Sequence, residues 1–199
     1  MKSVKSKLFV SGLTIFCLLV LTPAIQAENS NPQSPIDKGS INIGGTFSLQ
    51  SSGGDLYEFD GDRETLTMFY PGGRYFIKDN IAVGGDIMYI RMAQGDDAVT
   101  SIGIGPAAAY FFRTKSDKFY PYLGLGIFYT NYSMKSGTWD TSASGFDFRF
   151  GGGLAYMLGK NLALVFELTY HIQSLKPEEG DSESGNIIAF SVGFAGFLY

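Results

Sequence analysis

From residue 39 to the C-terminus, hydrophobic and polar positions alternate with a period of two. In "INIGGTFSLQ" (41–50), Ile41, Ile43, Phe47 and Leu49 share one parity, and Asn42, Thr46 and Ser48 share the other. In "FDFRF" (146–150), Asp147 and Arg149 alternate with three phenylalanines. Beyond "LGKN", Leu164, Phe166, Leu168 and Tyr170 alternate with Val165, Glu167, Thr169 and His171. A period of two sends the two sets to opposite faces of a strand. The pattern predicts eight strands, near 39–50, 64–77, 81–94, 99–112, 119–132, 146–157, 162–173 and 187–199. "KDN" (78–80), "TKSDK" (114–118) and "GKN" (159–161) are short connections. Those near 51–63, 133–145 and 174–186 are long and polar, and the one near 95–98 is shorter.

A soluble sandwich would alternate too, with its apolar face inward. Here the faces opposite the apolar stripes are rich in Gly, Ala, Ser and Thr, as where Gly151, Gly153 and Ala155 oppose Phe148, Phe150 and Leu154. Bulky apolar residues outside and small or polar ones inside suit a narrow barrel in lipid. Aromatics gather at the strand ends. Tyr75, Phe76, Phe112, Phe119, Tyr120, Tyr156 and Tyr199 fall toward the short-turn rim, and Tyr89, Tyr129, Tyr132, Phe146 and Tyr170 toward the other. Two such girdles mark the membrane interfaces of a barrel. A sheet in lipid leaves no edge unpaired, so it closes. The fold class expected is all-β: an eight-stranded antiparallel up-and-down transmembrane β-barrel over 39–199, preceded by a cleaved signal peptide.

That signal peptide is read from the start of the chain. Lys2, Lys5 and Lys7 precede an apolar run from Leu8 to about Leu21, followed by "TPAIQA" and an expected cut after Ala27. The run is short of the roughly 20 residues of a transmembrane helix. Residues 28–38 then form a flexible periplasmic tail. The one cysteine, Cys17, lies in the signal, so the mature chain has no disulfide and no Cys-based zinc site. Removing residues 1–27 takes away three of 15 basic residues and none of 19 acids, which leaves 12 − 19 = −7. That balance argues against nucleic acid. The 26 glycines disfavour helix, and the 17 Phe and 12 Tyr favour strands.

Inside such a barrel the parity collects a polar network of Asp86, Asp147, Arg149, Glu167 and His171. Arg149 facing lipid instead would cost about 2–4 kcal/mol near the midplane. The same parity turns Val83, Ile87 and Tyr89 outward, and Met88 and Ile90 inward. A three-residue turn, Gly159-Lys160-Asn161, sets Arg149 opposite His171 and Glu167 opposite Gly153. Glycine there leaves Arg149 room to lean toward Glu167, with Asp86 reaching the same guanidinium from across the barrel. "PGG" (71–73) is expected to bulge and to switch parity. On the last strand Ile188, Phe190, Val192 and Phe194 face lipid, and an irregularity near Gly196 turns Phe197 and Tyr199 outward. A His–Ser hydrolase pair fails on geometry, because Ser174 lies three residues after His171 and hence on the opposite face. The acid run "DLYEFDGDRE" (55–64) lacks the spacing and glycine of an EF-hand loop and reads as a solvated loop with no metal site.

"YFIKDNIAVGGDIMY" (75–89), "YPYLGLGIFY" (120–129) and the terminal "GFLY", with the signal peptide, resemble the small eight-stranded outer-membrane barrels of the OmpA/OmpX type. The resemblance covers essentially all of the mature chain. It implies a Gram-negative outer membrane, export through the Sec pathway, periplasmic termini and no cofactor. It also implies insertion by the barrel-assembly machinery, with Phe197 and Tyr199 as the assembly signal. One departure stands out: Phe194 occupies the position where the family usually has glycine. The partners implied are outer-membrane lipids and lipopolysaccharide, with loops 51–63 and 174–186 as the place where an extracellular ligand would bind. The function expected is a non-enzymatic role in envelope integrity or surface interaction. A narrow low-conductance pore is the second reading and a lipid A-modifying hydrolase the third.

Overall fold

The computed structural model describes residues 33–52, 62, 64–136, 139–177 and 181–199. The expected signal peptide and most of the acid run 55–64 lie outside the described residues. Eight strands follow one another: β1 (Ile41–Ser52), β2 (Glu64–Lys78), β3 (Ile81–Gln94), β4 (Asp97–Phe111), β5 (Phe119–Ser136), β6 (Trp139–Met157), β7 (Leu162–Pro177) and β8 (Glu183–Leu198). Each pairs antiparallel with the next, and β8 pairs with β1, so the barrel is closed. From Ile41 the ladders run across Tyr75, Val83, Ala108, Leu125, Phe150, Tyr170 and Ile188. The β8–β1 register, in which Val192 faces Phe47, carries Ile188 to residue 51, a stagger of 51 − 41 = 10 residues. In an eight-stranded barrel such a stagger tilts the strands by about 40° and leaves an interior that side chains can fill.

The alternation sorts as the lipid reading requires. Phe146, Phe148 and Phe150 are about half exposed on the outer wall, while Asp147 between them is fully buried. Outer aromatic pairs sit near both ends of the apolar belt, Tyr110–Phe112 and Phe119–Tyr156 toward the termini and Tyr129–Phe146 toward the other rim. Phe76 and Tyr120 do not join the girdle; both turn inward and are buried.

Three connections differ from expectation. In that expected over 174–186, Ser174 pairs with Ser184 and Leu175 with Glu183, which leaves only the residues between Pro177 and Glu183. The long loop expected over 133–145 is mostly paired strand, with Ser133 opposite Ser142 and Lys135 opposite Asp140. The connection near 95–98 shrinks to Gly95 and Asp96, Gly95 taking a left-handed φ of 56°. Beyond the apolar belt the outward face of β5 turns polar at Asn131, Ser133 and Lys135, so the ladder continues where the outer hydrophobic stripe has stopped. "PGG" does not switch parity either. The β2–β3 ladder misses rungs at Tyr70 and Pro71 and resumes in the same register at Gly72, and its one shift lies between Phe76 and Lys78. Pro71 has no N–H to give the ladder.

The end of the barrel that carries residue 33, the C-terminus and the short turns is closed. Phe76, Phe111, Tyr120, Met157 and Phe197 share one buried cluster with Ile36. Residues 33–40, which include the end of the expected tail, turn across this rim. The Asn80 amide donates to the Ile36 carbonyl (2.8 Å) and the Gly39 amide to that of Phe76 (2.9 Å). Arg113 Nη2 meets Asp37 Oδ1 at 2.6 Å, and the Lys38 amide donates to Asp79 Oδ1 at 2.9 Å. Strand β8 is regular to Leu198, so the irregularity expected near Gly196 is absent. Phe197 points into the closed end, and its amide and carbonyl are both bonded to Asn161 (2.8 and 2.6 Å). A buried site for its ring overrides the outward terminal aromatic expected there.

Candidate functional site

Above the aromatic floor the lumen is charged. The β6–β7 ladder sets Arg149 opposite His171, Glu167 opposite Gly153 and Asp147 opposite Gln173, the register expected from the three-residue turn. Inward parity on β3 adds Asp86, buried at 4% exposure. The five candidate residues share the lumen but divide into three groups.

In the first group Asp86 Oδ2 accepts from two guanidiniums. Arg74 Nη2 lies at 2.5 Å, and Arg149 Nη2 bonds the same oxygen from β6. The Arg149 guanidinium also stands 4.9 Å from the centroid of the Phe128 ring, a cation–π arrangement. Gly72 makes this possible, since a Cβ there would lie 2.0 Å from Asp86 Oδ1.

In the second group Glu167 is held by the Tyr122 hydroxyl, which donates to Oε2 at 2.7 Å. No direct Arg149–Glu167 pair is formed among the described contacts, which corrects the pairing expected from sequence. Gly153 gives its room to Tyr122: a Cβ on it would lie 2.6 Å from the phenol oxygen.

The third group is buried on β6 and β7. His171 Nδ1 lies 3.1 and 3.2 Å from the two Asp147 oxygens, and Gln173 Nε2 donates to Oδ2 at 2.8 Å. The Thr169 hydroxyl is 3.2 Å from His171 Nε2. Ser174 is exposed on the opposite face, as the strand period demands. Thr169 Oγ1 also lies within hydrogen-bonding range of the Ala189 carbonyl, at 3.4 Å. The arrangement ties two strands together through a buried carboxylate whose polar atoms are occupied, as burial of a charge demands.

Sequence reasoning missed Arg74 and Tyr122. Arg74 shares the inward parity of Tyr70 once "PGG" is allowed to leave the register intact. Tyr122 shares the inward parity of Tyr120 and Phe128. Between the first two groups lies a cavity of about 50 Å³ bounded by Arg74, Asp86, Tyr122, Arg149 and Glu167. It has room for a few water molecules. Asp86 Oδ1 and Arg74 Nε, both buried, have no protein partner in it.

A model of the outer membrane protein beta-barrel domain matches residues 14–195. The chain belongs to this family. Like other members it resides in the bacterial outer membrane. No curated protein matches it in sequence. Among solved structures, the outer membrane protein OprG from Pseudomonas aeruginosa aligns over 84% of this chain and 100% of its own, at 16% identity and a TM-score of 0.55. The N-terminal β-barrel domain of Pseudomonas aeruginosa OprF aligns over 81% and 98%, at 16% identity and 0.51. At such identities the likeness is one of fold.

Proposed function

We propose that this member of the family is a non-enzymatic barrel with a closed lumen that acts at the cell surface, in envelope integrity or surface interaction. The observation that carries this reading is the closed end: Phe76, Phe111, Phe197 and Ile36 are each at most 3% exposed beneath the charged cluster. A path for ions would have to pass through that packing. The polar rim supports a surface role. About 9–11 tilted residues cross a bilayer, whereas β5 has 18 and β6 has 19. Their excess forms a polar hairpin beyond the belt. With the termini in the periplasm, that hairpin stands outside the cell. The second reading, a low-conductance pore, draws on the charged cavity and requires the floor to move. Planar-bilayer recording with the refolded full chain separates them. Electrically silent insertion is expected, and reproducible unitary steps would overturn the closed lumen.

Phe197 and Tyr199 retain the role of assembly signal in this reading, now with Phe197 facing inward. The Tyr199 hydroxyl donates to the Lys160 carbonyl at 2.8 Å, outside the strand. Deleting Tyr199 is expected to reduce the folded, heat-modifiable form in cells more than Leu198→Ala does. Equal yields of the two variants would remove the terminal aromatic from the signal.

A further inference from the structure

The seam between the first and last strands is joined over only part of its height. Pairing of β1 with β8 runs from Ile41–Leu198 to Phe47–Val192 and stops there. Continued in the same register, Ser48 would meet Ser191 and Ser52 would meet Ile187. These stretches keep their strand form and their other partners. Residues 48–52 pair with β2, and residues 187–191 pair with β7. Each therefore turns one backbone edge toward the other without bonding to it. The outer wall shows the same gap. Ile188, Phe190 and Leu49, at 72, 67 and 66%, are the most exposed large apolar side chains among the described residues.

The gap lies within the apolar belt. Phe190 is opposite Leu168 and Ile188 opposite Tyr170, and on β7 the outward apolar stripe runs one position further, to Ile172. At that depth no water reaches a free amide or carbonyl, so leaving one unbonded is costly. Strands that remain as free edges are blunted by charge, proline or a bulge. "SLQSS" (48–52) and "IIAFS" (187–191) have no charge and no proline. The ladders that hold them on β2 and β7 run without a register shift. Both edges are thus fit to pair.

Acyl chains have no group to bond these edges, whereas a second barrel offers both. Copies in one membrane point the same way. When two seams face each other across a two-fold axis along the membrane normal, β1 of each copy lies beside β8 of the other. These strands run antiparallel, as they do lower in the seam. The same register then sets Ser48 opposite Ser191 of the second copy, and Ser191 opposite Ser48 of the second copy. We propose that the upper seam is an interface for a second copy of this chain, closed by two short ladders between β1 of one barrel and β8 of the other. Residues 41–47 keep their partners within each barrel, so no pairing described above has to break. The interface is isologous, and its two edges are complementary because each is the other's natural continuation. Leu49, Ile188 and Phe190 then meet protein in place of lipid.

The test uses the full chain exported to the outer membrane of cells, in a Cys17→Ser background that leaves no other thiol. Ser48→Cys and Ser191→Cys are placed on separate chains that carry different tags and are expressed together. Oxidation is expected to shift the pair to a disulfide-linked heterodimer, since cross-strand partners lie close enough to be bridged. Leu125→Cys on the opposite wall, in place of Ser191→Cys, is expected to give none. Heat-modifiable migration confirms that each variant is inserted. A heterodimer no more abundant than with Leu125→Cys, or none at all, overturns the interface. So does a double variant, Ser48→Cys with Ser191→Cys on one chain, that cross-links only within itself, because the seam then zips inside a single barrel. Free of any substitution, two differently tagged wild-type chains expressed together are expected to co-purify from gently solubilised membranes. Chains that separate completely overturn the interface as well.

Discussion

Arg149→Met and Asp86→Asn each destabilise the barrel, and together they cost clearly less than their sum. Breaking a buried ion pair by removing one partner costs about 3–5 kcal/mol, because the other charge stays buried. Arg149→Met falls near the low end, since Arg74 remains on the same Asp86 oxygen. Asp86→Asn falls higher, since it leaves two guanidiniums turned toward an uncharged amide. The coupling energy from the double-mutant cycle should reach about 2 kcal/mol. A second cycle, between Arg149 and Glu167, should give a clearly smaller value, because Glu167 bonds to Tyr122. Urea titration of the refolded barrel in detergent measures both. If the Glu167 cycle gives the larger coupling, the guanidinium sits on the other acid and the geometry described here is wrong.

Phe197→Ala and Phe194→Ala make the same chemical change three residues apart on β8, with unequal expected costs. Phe194 is 57% exposed on the outer wall, and lipid fills the space its ring leaves. Its loss is a transfer term of about 1.5–3 kcal/mol. Phe197 is 1% exposed in the closed end. Its loss adds a cavity, for a total of about 3–5 kcal/mol. Refolding into detergent without the assembly machinery keeps the signal role of the C-terminus out of the comparison. Equal unfolding midpoints would mean that the aromatic floor is not tightly packed.

Strand positions were legible wherever one face is apolar. The span 81–94 agrees with β3 at both ends because a tight turn precedes it and Gly95 follows. The hairpin extension of β5 and β6 was not legible, because in "NYSMKS" the outward stripe has turned polar at Asn131, Ser133 and Lys135, and only Tyr132 and Met134 continue an alternation on the other face. The register of β6 on β7 could be derived from turn length alone, and with it the neighbours of Arg149. Of the contacts across the lumen, inward parity was enough to expect Asp86 at the Arg149 guanidinium, but not the bonds made by Arg74 and Tyr122. Asp86 and Arg149 lie on β3 and β6, and no ladder links them directly. The choice of Asp86 over Glu167 depends on a phenol from β5, which reaches its carboxylate only because Gly153 leaves the space. The inward turn of Phe197 followed from strict parity, and a terminal signal drawn from resemblance argued the other way. The periodicity was the better guide.

The turn at residues 33–40 has a consequence for the order of events during insertion. Ile36 shares its buried cluster with side chains from β2, β4, β5 and β8. That hollow does not exist until the first and last strands have met. A seated Ile36 therefore requires a barrel whose first and last strands are already paired, and protection of the residue 33–40 amides from exchange is expected to report closure of the β1–β8 seam.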